Sequence, residues 1–166
     1  QELGIDCAGV ELDPVLAATA AAKKLPVVTG DGLEALAAAG DASLGGIALI
    51  QVIEHLTPQQ ALDLCALTKD KLKPGGRVVI ETVNPQSLYV YAHSFYLDPT
   101  HLRPVHPAYL HFLFTELGFR RVEIDWRSMP PSDDQLEAEE GVAGANVERL
   151  NRLLFAPQDY ALVATR

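Results

Sequence analysis

The residues best equipped for chemistry lie in one run, Phe95-Tyr-Leu-Asp-Pro-Thr-His-Leu-Arg-Pro-Val-His-Pro107, and at the ends of two short apolar segments. Histidine as a residue type suits proton transfer near neutral pH, so His101 or His106 could take a proton from a weakly acidic group. Asp98 could orient a histidine, and the planar fork of Arg103 suits a phosphate or carboxylate. Plainer roles exist for two of them: His106 could only cap the helix that Pro107 starts, and Asp98-Pro99 could only turn the chain. His101, His106 and His111 are five apart, which is not the i, i+4 spacing of two ligands on one helix face. No metal site is expected, although Asp98 with these histidines offers the donors for one.

The second set of candidates is acidic. Cys7-Ala-Gly-Val-Glu-Leu-Asp-Pro14 reads as a short buried strand ending on Glu11. It turns at once into a helix with Asp13 as N-cap and Pro14 at its first position. In nucleotide-binding α/β units a carboxylate at such a strand tip accepts hydrogen bonds from ribose hydroxyls, about 20 residues after a glycine-rich loop. Glu11 has only ten residues before it, and none forms that loop. Asp31 sits in a Gly30-Asp31-Gly32 turn, where its own backbone hydrogen bonds are also reason enough for an aspartate.

These residues are carried by alternating elements. Helices are expected over Val15 to Lys24, Leu33 to Ala39, and from a Thr57-Pro-Gln-Gln60 capping box to about Leu72. Strands are expected over Pro26 to Thr29, about Gly46 to Gln51, and Arg77 to Val83. The strands are continuously apolar, which indicates a parallel sheet covered on both faces. Asn84 to His106 reads as a long connection and Pro107 opens a helix closed by Gly118. Arg121 to Trp126 and Tyr160 to Thr165 read as an antiparallel strand pair at the sheet edge, with a polar segment from Met129 to Gly144 between them. Composition agrees with one folded domain of 166 residues, 48% hydrophobic and 21% charged. No apolar run approaches the roughly 18 residues that span a bilayer. The net charge of -9 with scattered Lys and Arg argues against nucleic acid as partner. Cys7 and Cys65 read as reduced core thiols, for which the cytoplasm is the natural setting.

The order of these pieces resembles the class I S-adenosylmethionine-dependent methyltransferases. The likeness rests on GVELDP at Gly9 to Pro14, VTGDGLEAL at Val28 to Leu36, LIQVIEHL at Leu49 to Leu56, and LKPGGRVVIETVNP at Leu72 to Pro85. It implies a Rossmann-like α/β fold whose sheet is mostly parallel with an antiparallel last strand. It also implies S-adenosylmethionine as cofactor. On this resemblance Glu11 would hold the ribose, Leu12 and Leu33 would flank the adenine, and Asp31 would accept from its amino group. The amide of Gly32 would meet a ring nitrogen, Gln51 and Val52 would border the methionine end, and His55 would stand beside them. Leu12 and Leu33 could equally be core, and Glu54 with His55 could be an ordinary helix-entry pair.

The family's first strand and its glycine-rich loop have no counterpart in the sequence, so a hole is expected mid-sheet in a single, N-terminally incomplete domain over 1–166, with a polar insertion at about 127–158. A longer protein, a partner chain or closing-up of the strands could fill it, the first being favoured. Affinity of the 166-residue chain for S-adenosylhomocysteine is expected to be poor or nil. The histidine-rich run is similar to that of methyltransferases of bacterial polysaccharide and O-antigen synthesis. That narrower resemblance implies O-methylation of a sugar or other small hydroxyl acceptor, with His101, His106 and Asp98 as catalytic groups. Arg103 and Tyr96 would bind the acceptor, and Tyr89 and Tyr91 could stack on it. Replacing either histidine by Ala should abolish turnover while leaving cofactor affinity intact. An NAD-dependent oxidoreductase shares the ribose carboxylate, and a non-catalytic methyltransferase-like binding module shares the fold. An oligomer is compatible with all three.

Overall fold

The computed structural model describes residues 4–166. Strand β1 (Gly9–Glu11) leads into α1 (Pro14–Ala22), then β2 (Val27–Thr29) and α2 (Gly32–Ala38). β3 (Leu44–Ile50) runs through a 3₁₀ turn, Ile53–His55, into α3 (Pro58–Lys71), and β4 (Leu72–Val83) follows. Beyond it lie α4 (Leu88–His93), a 3₁₀ turn at Phe95–Leu97, α5 (Pro107–Glu116) and β5 (Arg120–Arg127). A further turn at Ser132–Asp134, then α6 (Val142–Leu154) and β6 (Asp159–Thr165), close the chain. The order βαβα comes from caps that stop each helix from merging with its neighbours. Asp13 caps α1, Asp31 caps α2, and Thr57 with Gln60 forms the reciprocal capping box of α3.

The strands form two ladders instead of one continuous sheet. β1 and β2 pair in parallel, with Glu11 opposite Thr29. The second sheet has the order β3-β4-β6-β5. β3 and β4 are parallel, whereas β6 runs antiparallel to both β4 and β5. β5 and β6 are thus the expected antiparallel pair at the sheet edge, with β5 outermost, and the last strand lies between β4 and β5 because the long β4 offers seven residues to pair with it. Among the described residues no ladder joins β1 to β3, so the strands have not closed up. Large apolar side chains are exposed on the small sheet and its helix, including Val10, Val15, Leu16 and Val28, and at Ile50 on the β3 tip.

The core lies under the four-stranded sheet. Val78 and Ile80 of β4, Leu162 and Ala164 of β6, Leu110 and Phe114 of α5, and Cys65 of α3 are fully buried in one cluster. The segment Lys73-Pro-Gly-Gly76 does not merely end α3. It is already strand, and it absorbs a register shift against β3 between Leu44 and Gly46. Gly76 is required there, since a Cβ would meet the Lys73 carbonyl at 2.9 Å and the Gly45 carbonyl at 3.1 Å. The expected connection after Asn84 contains α4, whose aromatic residues hide its helical period.

Tyr160 ties this core to the loop before α5. Its fully buried hydroxyl donates to the Val105 carbonyl at 2.8 Å, and burial pushes the phenol well above its usual range. Tyr160→Phe should cost about 1–3 kcal/mol in urea unfolding, because the Val105 carbonyl is left buried without its donor. The two thiols differ from the expectation that both are core. Cys7 precedes β1 and is exposed, because nothing packs over that stretch among the described residues. Cys65 is buried, and burial raises its thiol to about 12. Iodoacetamide should therefore label Cys7 in the native protein and reach Cys65 only after denaturation, as peptide mass mapping would show.

Candidate functional site

Where β3 ends, the backbone is forced out of regular structure. Gln51 sits at φ 53, in the left-handed region that a side chain seldom adopts. Its amide stays on the ladder by donating to the Glu81 carbonyl, and its Nε2 donates to Asp159 at 3.2 Å. This bend directs the following 3₁₀ turn inward, burying Ile53 and all of Glu54. Glu54 Oε2 accepts from the Thr82 hydroxyl of β4 at 2.8 Å, while Oε1 is buried and has no partner among the described residues. The Glu54 backbone carbonyl accepts from the amides of Leu102 at 2.9 Å and Arg103 at 3.3 Å. The turn thus draws the histidine-rich loop onto itself. Burial pushes the Glu54 carboxyl up, against the bonds from its own backbone and Thr82 and the charges of His55 and His101.

Two imidazoles stand over this carboxylate, with ring centres 4.7 Å apart. His101 Nδ1 lies 2.7 Å from the Phe95 carbonyl, which can only accept, so Nδ1 carries the hydrogen. His55 Nδ1 lies 2.9 Å from the Thr100 oxygen, and that hydroxyl is itself 2.6 Å from Asp98 Oδ1. Thr100 has one proton and the carboxylate claims it, so His55 Nδ1 is the donor to Thr100. Each ring is oriented through Nδ1, which leaves both Nε2 atoms for other partners. A carboxylate oxygen of Glu54 and one nitrogen from each ring lie within 4.8 Å of one another.

The other residues of the loop divide. The hydroxyl and amide of Thr100 hold the exposed Asp98 carboxyl below its usual range, so it stays ionised and orients Thr100. His106 is the N-cap of α5, its Nδ1 accepting from the Ala108 amide at 3.2 Å. It lines a shallow cavity with Gln86, His111 and Trp126. Arg103 is half-buried, with Nε in the interior and unpartnered among the described residues. Tyr96 is exposed, edge-on to Phe95 at 5.1 Å.

The remaining candidates lie at the tips of the small sheet. Glu11 Oε1 accepts from the Asp13 amide at 2.9 Å. Asp31 Oδ1 accepts from the amides of Leu33 at 2.7 Å and Glu34 at 3.1 Å. Asp31 is thus a helix cap through one oxygen, and among the described residues its other oxygen makes no hydrogen bond. A Cβ added at Gly32 would meet nothing within 4 Å, Leu12 is exposed, and Leu33 is half-buried. Spare carboxylate oxygens, open space beside an unbonded helix-start amide, and an exposed and a half-buried leucine fit an adenosine moiety. Val52, half-buried, follows Gln51 and precedes the 3₁₀ turn that carries Glu54 and His55.

Sequence reasoning named His55 and His101 for separate duties and treated Glu54 as an ordinary helix-entry residue. It missed Thr82, Thr100 and the Phe95 carbonyl altogether. The available signal was an acid flanked by Ile53 and Leu56 in an apolar run, which predicts a buried carboxylate in need of partners.

Comparisons with known proteins bear on this arrangement. No family model matches the chain, and none of the curated proteins matches it. Among solved structures, a SAM-dependent methyltransferase from Archaeoglobus fulgidus superimposes with a TM-score of 0.92 at 36% identity, over 99% of this chain and 78% of its own. A SAM-dependent methyltransferase from Thermotoga maritima, described as a possible histamine N-methyltransferase, matches with a TM-score of 0.66 at 18% identity, over 95% of this chain and 72% of its own. The 1,6-didemethyltoxoflavin-N1-methyltransferase of Burkholderia thailandensis, solved with its substrate and S-adenosylhomocysteine, matches with a TM-score of 0.60 at 16% identity. It covers 99% of this chain and 63% of its own. The two distant structures share the fold. With the first at 36% identity over nearly its whole length, this chain belongs to the S-adenosylmethionine-dependent methyltransferases and is an enzyme of that kind.

Proposed function

We propose that this methyltransferase acts on an oxygen of a hydroxylated acceptor, a sugar or polysaccharide unit, whose reacting hydroxyl sits at the Glu54-His55-His101 cluster. One observation carries this reading. The loop that holds His101 is hydrogen-bonded to the turn after β3, and two imidazoles with open Nε2 atoms meet there over a buried carboxylate. A sugar hydroxyl is a poor nucleophile until its proton is drawn away, and such a cluster supplies groups that draw it.

S-adenosylmethionine, when bound, supplies a methyl group on a positively charged sulfur. Glu11 would hold the ribose hydroxyls, and the second oxygen of Asp31 with the Gly32 amide would hold the adenine edge. Leu12 and Leu33 would flank the ring, and Gln51 and Val52 would border the methionine end. The displacement is in-line, so most of the acceleration comes from positioning the acceptor oxygen. His101 is the histidine of the loop that stands in the cluster, while Asp98 orients His55 through Thr100. Arg103 and Tyr96 would bind the rest of the acceptor, Arg103 through an acidic or phosphate group. Both thiols are free, which fits work in a reducing cytoplasm.

In the full-length protein His101→Ala should lower turnover by roughly 10²–10⁴-fold with S-adenosylhomocysteine affinity unchanged. His106→Ala should keep most of the activity, since that ring caps α5. Turnover that survives His101→Ala would place the reacting hydroxyl elsewhere. Asp31→Asn offers an independent check. Asn caps a helix as well as Asp, so the melting temperature should hold while calorimetric affinity for S-adenosylhomocysteine falls. Unchanged affinity would leave Asp31 as a cap alone.

A further inference from the structure

We propose that Glu54, His55 and His101 form a binding site for one divalent first-row transition cation, of which Zn²⁺ is the natural candidate. Three observations carry it. The donor set of two imidazoles and one carboxylate is that of open zinc and non-haem iron sites, which keep further positions free for water or substrate. The donors lie within 4.8 Å of one another. In a zinc tetrahedron they would stand roughly 3.3 Å apart, so the rings need only rotate inward by part of that gap.

The second observation is the outer shell. A metal-bound histidine nearly always donates its remaining ring N–H to a carbonyl, a carboxylate or a water, which fixes the tautomer. His101 does so to the Phe95 carbonyl. His55 does so to Thr100, which passes the polarisation on to Asp98. Both rings are thereby oriented through Nδ1, which leaves Nε2 as the nitrogen a metal would take.

The third observation is the unmet need of Glu54. It is wholly buried, yet Oε1 has no hydrogen-bond partner among the described residues. The ion pairs among the described residues are Lys71 with Asp41 and Arg127 with Asp125, so no lysine or arginine neutralises it. A buried carboxylate without a counter-charge is costly, and buried charges are normally paired or bound to metals. A cation on Oε1 would answer both deficits at once.

The site stands on this geometry alone. Its use in catalysis rests on the reading above: a cation there would hold the acceptor hydroxyl and lower its pKa, with His101 as ligand in place of free base. The alternative filling of the cluster is a proton, giving an imidazolium beside Glu54. The two are separated by a binding measurement that needs neither methyl donor nor acceptor.

Co²⁺ titrated into the metal-free full-length protein at neutral pH should give visible absorption bands that saturate at one equivalent, and Zn²⁺ should displace them. His55→Ala and His101→Ala should each weaken Co²⁺ binding by more than the roughly 10–100-fold expected of an outer-shell loss, which Thr100→Ala should show. His106→Ala and His111→Ala should bind as the parent does, and thermal melts show that each variant is folded. Absence of saturable Co²⁺ bands, or affinity equal to the parent's in both His55→Ala and His101→Ala, would overturn the site. Metal binding in a protein whose His101→Ala variant still turns over would keep the site and remove its catalytic use.

Discussion

Burial of the Glu54 carboxylate is the constraint on which the functional end of this molecule depends. One side chain is taken fully out of water, and the groups gathered around that residue, side chain and backbone, come from separate stretches of chain. Thr82 reaches it from β4, the amides of Leu102 and Arg103 close on its backbone carbonyl, and the two imidazoles stand above it. Desolvation is expensive enough that these partners must be in place together. The 3₁₀ turn after β3 therefore fixes the loop before α5, and Tyr160 secures the far end of that loop at Val105. A surface carboxylate in the same position would leave the loop tethered only by exposed bonds.

The two ends of the candidate site are built on different principles. The proposed acceptor end is a buried polar network braced by the four-stranded sheet. The proposed cofactor end uses the open tips of β1 and β2, where Asp31 would serve two purposes through its two oxygens. One caps α2, and the other makes no hydrogen bond among the described residues. This shared duty explains why an aspartate in a Gly-Asp-Gly turn reads equally well as structure or as function. Gln51, strained at φ 53, marks the junction of the two ends.

Much of the fold was legible in the sequence because its signals are local. Caps at Asp13 and Thr57, the helix-opening Pro107, and apolar runs at Ile47 to Ile50 and Val78 to Val83 each announce an element without reference to the rest. The antiparallel pair of β5 with β6 was legible as well. Nothing local says that β6 also pairs with β4, or that Pro74 and Gly75 belong to a strand. The site follows the same rule. Glu11 and Asp31 stand out as candidates because they sit at strand tips, and His101 because it lies in a run dense with residues able to do chemistry. The convergence of Glu54 with His55 and His101 depends on a loop folding back across the sheet, and residue spacing holds no trace of it. Likewise, only the packing shows that His106 turns away to cap a helix while His101 turns inward.

The small sheet has a thermodynamic consequence. β1 and β2 share only three residue pairs, and a two-stranded ladder of that size has little stability of its own. The residues that would receive adenosine are thus mounted on the least cooperative part of the fold, whereas the histidine cluster is mounted on the most cooperative. A ligand that bridges the two has to order one side against the other. Its affinity would then carry an entropic penalty offset by enthalpy, and its heat capacity change would exceed what the ligand's own surface accounts for.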